Sequence, residues 1–277
     1  MEKKSKISFI IPAYKSEKHL EKCFRSLLDK TTDIQKEIIV VNNSGSSFNL
    51  ENGIKIINSP NKGFGSACNL GVREASGNIF CFINPDTEII SNDFEKIINL
   101  FDSSSYHPEL VSGSQEIPDQ VRNDIKKIGI IGPKLVEENN DIQEWSAGKK
   151  VDLTDIILNN LGWKRSKKIW ESKKKTECAW VSGACLFVRK ELFEKLNGFD
   201  EKFFLYFEDI DLCKRARNLE YKILYYPKFI VKHFGGKSFD SIKEQKQYYY
   251  SSQDYYFQKH FGKISSFILK IIRGLTL

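Results

Sequence analysis

The chain contains 277 residues, of which 40% are hydrophobic and 29% are charged, and its net charge is +7. A chain of this length and composition buries a core without crosslinks, which excludes an intrinsically disordered chain and a disulfide-dependent miniprotein. The positive charge is compatible with an anionic membrane face, a phosphorylated substrate or a merely solvated surface. The sequence has neither zinc-finger spacing nor the aromatic motif of an RNA-recognition domain, so we expect no nucleic acid partner.

Cysteine usage and apolar runs indicate where the protein resides. The six cysteines are scattered without a C-x-x-C pair, which predicts reduced thiols in a cytoplasmic protein. The first apolar run, ISFIIP, is too short for a signal peptide, and no run approaches the roughly 18–20 residues that span a bilayer. The tail ISSFILKIIRGLTL either packs on the domain or lies flat on the inner face of the cell membrane.

Strands and helices alternate over the first part of the chain. Buried strands are predicted at 6–12, 37–43, 53–59 and 78–84, and helices at 20–28, 63–75 and 93–101. Apolar strands separated by helices indicate a parallel sheet that is covered on both faces. Ligands of such sheets bind beyond the carboxyl ends of the strands, where this chain carries Pro12-Ala13-Tyr14, Asn42-Asn43-Ser44 and Asn84-Pro85-Asp86.

The second part of the chain is less regular. Residues 102–127 are polar and aperiodic, which predicts a loop insertion. Strands follow at 128–135 and 222–234, and 178–199 reads as a strand and a short helix that Gly198 ends. In the helix predicted from FEDIDLCKRARNLEY, one face is expected to be buried (Leu212, Ala216, Leu219) and the other to face water (Lys214, Arg215, Arg217). We expect one domain over 1–238 and a helical extension over 239–277.

Two common nucleotide-binding motifs are missing from the sequence. GGKS at 235–238 lacks the glycine that a P-loop requires at position 231, where this chain has Val231. The first strand is followed by PAYKSEKHL, which contains no glycine, so the chain has no dinucleotide-binding fingerprint there.

The stretch FINPDTEI, residues 82–89, ends a buried strand with Asn84, Pro85 and Asp86. One interpretation is a turn, with Asp86 capping the segment that follows. The other is that Asp86 ligates a divalent ion through oxygen while a diphosphate fills further positions of the ion. Taken alone, the stretch leaves both interpretations open.

An acidic cluster follows an aromatic run in FDEKFFLYFEDIDLC, residues 199–213. Carboxylates at a helix start are favoured by the helix dipole, but capping needs one acid, and this cluster contains Glu208, Asp209 and Asp211. A carboxylate walled by aromatic rings is desolvated, which raises its pKa and suits it to act as a general base. His233 ends a strand before Gly235-Gly236 and is either structural or a metal ligand through one ring nitrogen.

Four stretches between residues 6 and 238 follow one another along the chain in the order found in a known protein family. They are SFIIPAYKSEKHLEKCFRSLL, EIIVVNNS, NKGFGSACNLGVREASGNIFCFINPDTEI and SGACLFVRKELFEKLNGFDEKFFLYFEDIDLCKRARNLEYKILYYPKFIVKHFGGKS. Together they resemble glycosyltransferase family 2, in particular its rhamnosyltransferase-like members. The resemblance implies an α/β GT-A fold, with a mainly parallel central sheet and helices on both faces, and transfer of a sugar from a nucleotide-diphosphate donor with inversion.

The resemblance also implies roles for individual residues. Asp86 and His233 would hold Mg²⁺ or Mn²⁺, Asp209 would deprotonate the acceptor hydroxyl, and Glu208 would lie close to the sugar or the acceptor. The nucleotide-sugar would be bordered by residues near the strand ends, namely Pro12, Ala13, Tyr14, Asn42, Asn61, Gly63 and Asn84.

Two residues depart from the family pattern. Asn42 stands where many relatives have an aspartate beside the pyrimidine base, and its amide oxygen can still accept the N3–H bond without a charge. Asn84 replaces the first acid of the D-x-D motif, so Asp86 carries more of the metal coordination.

The function expected from these residues is a metal-dependent inverting glycosyltransferase. It would move a hexose, rhamnose foremost, from a dTDP- or UDP-sugar to a growing, lipid-linked cell-surface glycan. Two alternatives stay open: a sugar-nucleotide nucleotidyltransferase, which would need a glycine-rich basic loop after the first strand, and a non-catalytic nucleotide- or glycan-binding relative.

Overall fold

The computed structural model describes residues 5–45, 53–102, 127–235 and 241–276. Apart from its two end residues, the loop insertion predicted at 102–127 lies outside the described residues. The strands are β1 (Lys6–Ala13), β2 (Gln35–Asn42), β3 (Ile54–Asn58), β4 (Ile79–Ile83), β5 (Thr87–Ile89), β6 (Ile128–Val136), β7 (Ala147–Gly148), β8 (Thr176–Cys178), β9 (Trp180–Val181), β10 (Cys185–Arg189) and β11 (Lys222–His233). The helices are α1 (Glu17–Lys30), α2 (Phe64–Arg73), α3 (Phe94–Asp102), α4 (Leu153–Asn160), α5 (Lys167–Trp170), α6 (Lys190–Lys195), α7 (Glu208–Asn218) and α8 (Ile242–Thr276).

One large sheet organises the described chain in the order β3-β2-β1-β4-β10-β6-β11-β5, with β8 also paired to β11. Strands β3, β2, β1 and β4 are parallel, as are β6 and β11. Strand β10 is antiparallel to both β4 and β6, and it joins the two parallel parts. The parallel arrangement places the ends of β1, β2 and β4 at one edge, as the sequence predicts.

Hydrophobic cores lie on both faces of the sheet. In β1, Ile7, Phe9 and Ile11 pack in the core that includes α1 and α3, whereas Ile10 faces the core that includes α7. A strand buried on both faces gains nothing from polar alternation, which explains the continuous apolar run of β1. The prediction of an α/β fold with helices on both faces is therefore confirmed.

The sequence pattern misses several short elements. Strand β5 is three residues long and pairs antiparallel with the end of β11. Helix α4 is capped by Asp152, whose side chain accepts the backbone N–H of Asp155. Three residues are too few to show periodicity, so β5 is defined only by its partner strand.

The exposed face predicted for helix α7 is partly wrong. Arg215 donates hydrogen bonds to Asp211 on its own helix and to the carbonyls of Leu196 and Gly198, so it does not face water. Lys214 lies over the ring of Phe261, and Leu219, which was expected in the core, is 37% exposed. Helix α8 covers α7 at Lys214, and the carbonyls that follow α6 hold Arg215; the local pattern reveals neither contact.

Helix α8 is broken at Gly262, whose backbone has φ +87° and ψ 169°. The second segment turns back on the first, where Ser266 donates to the carbonyl of Asp254 and Arg273 contacts the Asp254 carboxylate at 2.7 Å. Over the described ranges, no helix combines the length and the apolar character that crossing a bilayer requires.

Candidate active site

A cavity of about 760 Å³ lies beside the ends of β4 and β11 and the start of α7. Four of the residues singled out from the sequence line it: Asn84, Glu208, Asp209 and His233. Other walls come from the turn between β9 and β10, from the loop before β7, and from helices α4 and α8. The cavity therefore brings together residues that are far apart in the sequence.

Asp86 and His233 lie side by side because β5 pairs antiparallel with the end of β11, where His233 is opposite Thr87. His233 Nε2 is 3.4 Å from Asp86 Oδ1 and 3.4 Å from Asn84 Nδ2. The backbone N–H of Phe234 also donates to the carbonyl of Asp86. Burial acts to raise the pKa of Asp86, but the hydrogen bond and charge of His233 have the larger combined effect. The pKa of Asp86 therefore lies below its ordinary value.

Gln143 orients the imidazole of His233 from the opposite side. Its Oε1 is 3.0 Å from His233 Nδ1, and an amide oxygen accepts, so Nδ1 carries the proton. A proton on Nε2 would be donated to the Asp86 carboxylate, and without that proton Nε2 presents a lone pair toward the carboxylate. Two acceptors 3.4 Å apart are stabilised only by a proton or a cation between them. Sequence reasoning missed Gln143 because it lies in a loop without any recognisable motif.

The donor set of this corner fits a divalent ion. A carboxylate and an imidazole suit Mn²⁺, and carboxylate with phosphate oxygens suits Mg²⁺. Outer hydrogen bonds such as the one from His233 to Gln143 are typical of metal-binding histidines. In the part of the chain that the structure describes, no three His, Cys, Asp or Glu side chains converge. An ion here would therefore take its remaining ligands from a bound diphosphate and water.

Asp209 lies at the first turn of α7 and is partly open to the cavity. Its Oδ2 accepts the backbone N–H of Gly183 at 2.7 Å, and its Oδ1 accepts that of Ile210 at 2.7 Å. Burial raises the pKa of this carboxyl group above its ordinary value despite these two bonds. A fixed carboxylate with a raised pKa has the properties of a general base.

Glu208 is only 5% exposed. Its Oε2 has no hydrogen-bond partner within the described residues, and burial, followed by the charge of Asp209, raises its pKa well above the ordinary value. The residues before it, Tyr206 and Phe207, both have left-handed backbones, with φ of +69° and +67°. Such strain in bulky residues persists only where surrounding packing enforces it, and it is concentrated at functional sites.

Asp211 does not share the cavity with its two acidic neighbours. It is completely buried, and its carboxylate contacts Arg215 at 2.7 Å, His260 at 2.7 Å and Lys259 at 2.6 Å. Burial acts to raise its pKa, but the hydrogen bond from His260 and the charge of Arg215 lower it to about 2. Of the three acidic residues, Glu208 and Asp209 therefore line the cavity, whereas Asp211 anchors α8.

Apart from Asn84, the residues predicted to border the nucleotide-sugar lie at the strand ends and at the start of α2, and they do not line this cavity. Asn42 is buried, its Nδ2 donates to Asn58 Oδ1 at 2.8 Å, and its Oδ1 accepts the backbone N–H of Ser44 at 3.0 Å. A nucleobase would have to use the second lone pair of that oxygen. Pro12 and Ala13 are buried at the end of β1, followed by the partly exposed Tyr14.

Gly63 precedes helix α2 with φ +100°. Its backbone N–H donates to Asn61 Oδ1 at 3.1 Å, and a Cβ at this position would clash with the backbone carbonyl of Phe204. Phe64 N–H donates to that same carbonyl. The glycine thus allows the start of α2 to lie directly against the segment that leads to Glu208.

A family model described as "Glycosyl transferase family 2" matches residues 8–196. The chain belongs to this family. It is therefore a glycosyltransferase, and a second model, "Glycosyltransferase like family 2", matches residues 165–249. Both matches agree with the resemblance seen in the four sequence stretches.

Individual relatives and solved structures show which proteins the chain is similar to. Rhamnosyltransferase WbbL of Escherichia coli (strain K12) is 25% identical over 82% of this chain and 83% of its own length. N-acetylglucosaminyl-diphospho-decaprenol L-rhamnosyltransferase of Mycobacterium tuberculosis (strain ATCC 25618 / H37Rv) is 43% identical, but over only 20% of this chain and 18% of its own. The crystal structure of GalNAc-T7 with UDP, GalNAc and Mn²⁺ superposes with a TM-score of 0.58 at 15% identity, covering 93% of this chain and 50% of that one. The GT-A fold of this rhamnosyltransferase-like family 2 enzyme is thereby confirmed.

Proposed function

We propose that this glycosyltransferase transfers a hexose, rhamnose foremost, from a dTDP- or UDP-sugar to a hydroxyl group of a growing, lipid-linked cell-surface glycan. The observation that carries the proposal is that the Asp209 carboxylate and the His233 imidazole line one cavity. One is suited to remove a proton, and the other belongs to a corner that fits a divalent ion. Both groups serve sugar transfer from a nucleoside diphosphate.

Asp209 is the proposed base. Its two backbone hydrogen bonds, from Gly183 and Ile210, fix the carboxylate at the cavity wall. Its raised pKa increases its affinity for the acceptor proton. The acceptor oxygen attacks the anomeric carbon as the nucleoside diphosphate leaves, and this single displacement inverts the configuration. The raised pKa of Glu208 favours its protonated form, and the side chain would contact the sugar or the acceptor.

Asp86 and His233 would hold Mg²⁺ or Mn²⁺, which neutralises the charge of the departing diphosphate. Gln143 fixes the proton of His233 on Nδ1 and leaves Nε2 for the ion. Asn84, an uncharged residue on the same cavity wall, would contact the donor. The proposed nucleotide contacts are Pro12, Ala13, Tyr14, Asn42, Asn61 and Gly63, at the edge where ligands of parallel sheets bind.

The proposed sugar and acceptor rest on the relatives. Two of them are named as rhamnosyltransferases, and the name of the mycobacterial protein includes an N-acetylglucosaminyl-diphospho-decaprenol acceptor. This chain covers only 18% of the latter protein, so the lipid-linked acceptor comes to this chain as a proposal.

We also propose a cytoplasmic protein with one catalytic domain over 1–238 and a helical extension over 239–277, which contacts the inner face of the membrane. The support is the second segment of α8. There Ile264 is 77% exposed and Phe267 is 64% exposed, and Lys263 and Lys270 lie on the same segment. Apolar side chains flanked by lysines are typical of helices that lie in a membrane interface.

The test is a panel of nucleotide sugars incubated with the protein, Mn²⁺ or Mg²⁺, and acceptor mimics that carry an alkyl chain. We expect release of dTDP or UDP that depends on the acceptor, with dTDP-rhamnose as the best donor. Consumption of another donor would correct the sugar, and no consumption of any donor would contradict the proposed function.

A further inference from the structure

The cavity that Asp209 and His233 line also has walls without a role in the proposed reaction. One of them is formed by helices α4 and α8, with side chains such as Ile156, Asn159, Tyr250 and Leu269. Its volume of about 760 Å³ is in the upper part of the range for pockets that enclose a ligand, which is about 300–1,000 Å³. These residues have no part in the contacts assigned to the donor and the ion, so this wall of the cavity is available to another part of the substrates.

Three residues that line the cavity each have a buried side-chain atom without a hydrogen bond in the part of the chain that the structure describes. Within the described residues, Asp155 Oδ1, Asn159 Oδ1 and Trp180 Nε1 lack a hydrogen bond, and all three residues line the cavity. Asp155 is 3% exposed and Trp180 is 7% exposed, and the nearest cation to Asp155 Oδ1 is Arg165 at 3.9 Å. Buried polar groups almost always have partners, and a polar ligand would supply the partners that these atoms lack.

Trp145 presents an indole ring to the same space. It lines the cavity and is 40% exposed, although tryptophan favours burial. Its backbone is left-handed, with φ +58°, and its ring packs on the buried Trp170 at a centroid distance of 5.0 Å. The surrounding structure thus holds a large aromatic ring against an open cavity. The same loop carries Gln143, which orients His233.

We propose that this part of the cavity is a second sugar subsite for the acceptor. In it the sugar next to the acceptor residue stacks on Trp145 and donates hydroxyl hydrogen bonds to Asp155 and Asn159. This inference rests on the proposed function, because it places the acceptor hydroxyl at Asp209. Its consequence is that the enzyme recognises at least a disaccharide rather than a single terminal sugar.

The chemistry of the walls favours a sugar over the other parts of a lipid-linked glycan. A diphosphate would be repelled by the carboxylate of Asp155, and the arginine on the cavity wall, Arg273, already pairs with Asp254 at 2.7 Å. An alkyl chain would leave the oxygens of Asp155 and Asn159 without partners, which is unfavourable. A sugar ring has an apolar face for an indole and hydroxyl groups for acceptors.

The experiment compares two soluble octyl glycosides with the donor found in the screen. One is the disaccharide acceptor, and the other is its analogue that lacks the inner sugar. We expect the wild type to prefer the disaccharide in kcat/KM, and Trp145→Ala to lower this preference by at least about tenfold, as the loss of one pocket contact does. Trp145→Phe should restore most of the preference, since a ring remains.

Trp163→Ala is the matched control, because Trp163 is 69% exposed and does not line the cavity. It should leave the preference for the disaccharide intact. A direct binding measurement distinguishes failure of the acceptor subsite from failure of the proposed function. Quenching of tryptophan fluorescence by the disaccharide, lost in Trp145→Phe, would support the subsite even if no donor is consumed. Equal use of both acceptors by the wild type, or an unaltered preference in Trp145→Ala, would overturn it.

Discussion

His260 Nε2 lies 2.7 Å from Asp211 Oδ1, and this bond fastens helix α8 to the first turn of helix α7. The same turn presents Glu208 and Asp209 to the cavity. Lys259 and Arg215 complete the contacts of the buried Asp211 carboxylate. The turn that carries Glu208 and Asp209 is thus held by a charge network around Asp211, which does not line the cavity, and removal of that network should affect stability first.

Asp211→Asn should lower the free energy of unfolding by about 3 kcal/mol at neutral pH, because it leaves buried cationic partners without their counter-charge. The difference from wild type should shrink in acid. Since the pKa of Asp211 is about 2 in the folded chain and about 3.9 when unfolded, its stabilising charge is present above that value and is lost as the pH falls toward 2. Urea unfolding of both proteins between pH 7 and 2 measures this.

Glu21→Gln is the matched control for this measurement, because the Glu21–Arg25 pair is exposed. It should change the free energy of unfolding by less than about 0.5 kcal/mol. An effect of Asp211→Asn as small as that of the control, or one that stays constant down to pH 2, would contradict the anchoring role.

Removal of the hydrogen bond between His233 and Gln143 should weaken metal binding, although the ligand His233 stays in place. In calorimetric titrations of Mn²⁺ in the presence of UDP, Gln143→Leu should lower the affinity by about 10–100-fold, and His233→Ala should lower it further. Gln35→Leu, at an exposed position, should bind as the wild type does. Equal Mn²⁺ affinities of His233→Ala and wild type would remove His233 from the proposed metal site.

Gly63→Ala should destabilise the protein more than Gly162→Ala does. Both Gly63 and Gly162 have positive φ, which costs an alanine about 1–2 kcal/mol. Only at Gly63 would the new Cβ meet a backbone carbonyl, that of Phe204, and such overpacking adds about 1–3 kcal/mol. Thermal unfolding of the two variants gives the difference directly. Equal losses would show that the α2 start can move away from Phe204.

Membrane contact should depend on the exposed side chains of α8 and not on the fold of its second segment. Replacing Ile264, Phe267 and Ile271 together by serine removes exposed apolar surface and spares the buried Leu269. We expect this variant to lose flotation with vesicles that contain anionic lipid, while its thermal unfolding stays that of the wild type. Equal flotation of the two proteins would exclude this surface as the membrane contact.

Much of the fold can be predicted from the sequence, because the patterns that define its strands and helices are local. The continuous apolar runs of β1 and β4 indicate strands buried on both faces, and the strand ends mark the edge where Asn84 and Asp86 lie. The short strand β5 has no local signal, because its three residues are ordered by pairing with β11. Without β5, the local patterns give no reason to place His233 beside Asp86, and only the family resemblance paired the two residues.

The candidate site is only partly readable, for a related reason. Asp209 and His233 belong to recognisable motifs, whereas Gly183 contributes a backbone N–H, which every residue except proline carries. Gln143 acts through a contact with His233 that is 90 residues distant in sequence. Asp211 could not be separated from its acidic neighbours, because the partner that decides its role, His260, lies on a distant helix.

Acceptor-dependent release of nucleoside diphosphate by Asp209→Asn decides whether this carboxylate is the catalytic base. The amide keeps an oxygen for the N–H of Gly183 but cannot take a proton, so donor binding should persist while kcat falls by about 10²–10⁴-fold. That result, with normal thermal unfolding, would establish Asp209 as the base. A kcat equal to that of the wild type would contradict the proposed mechanism.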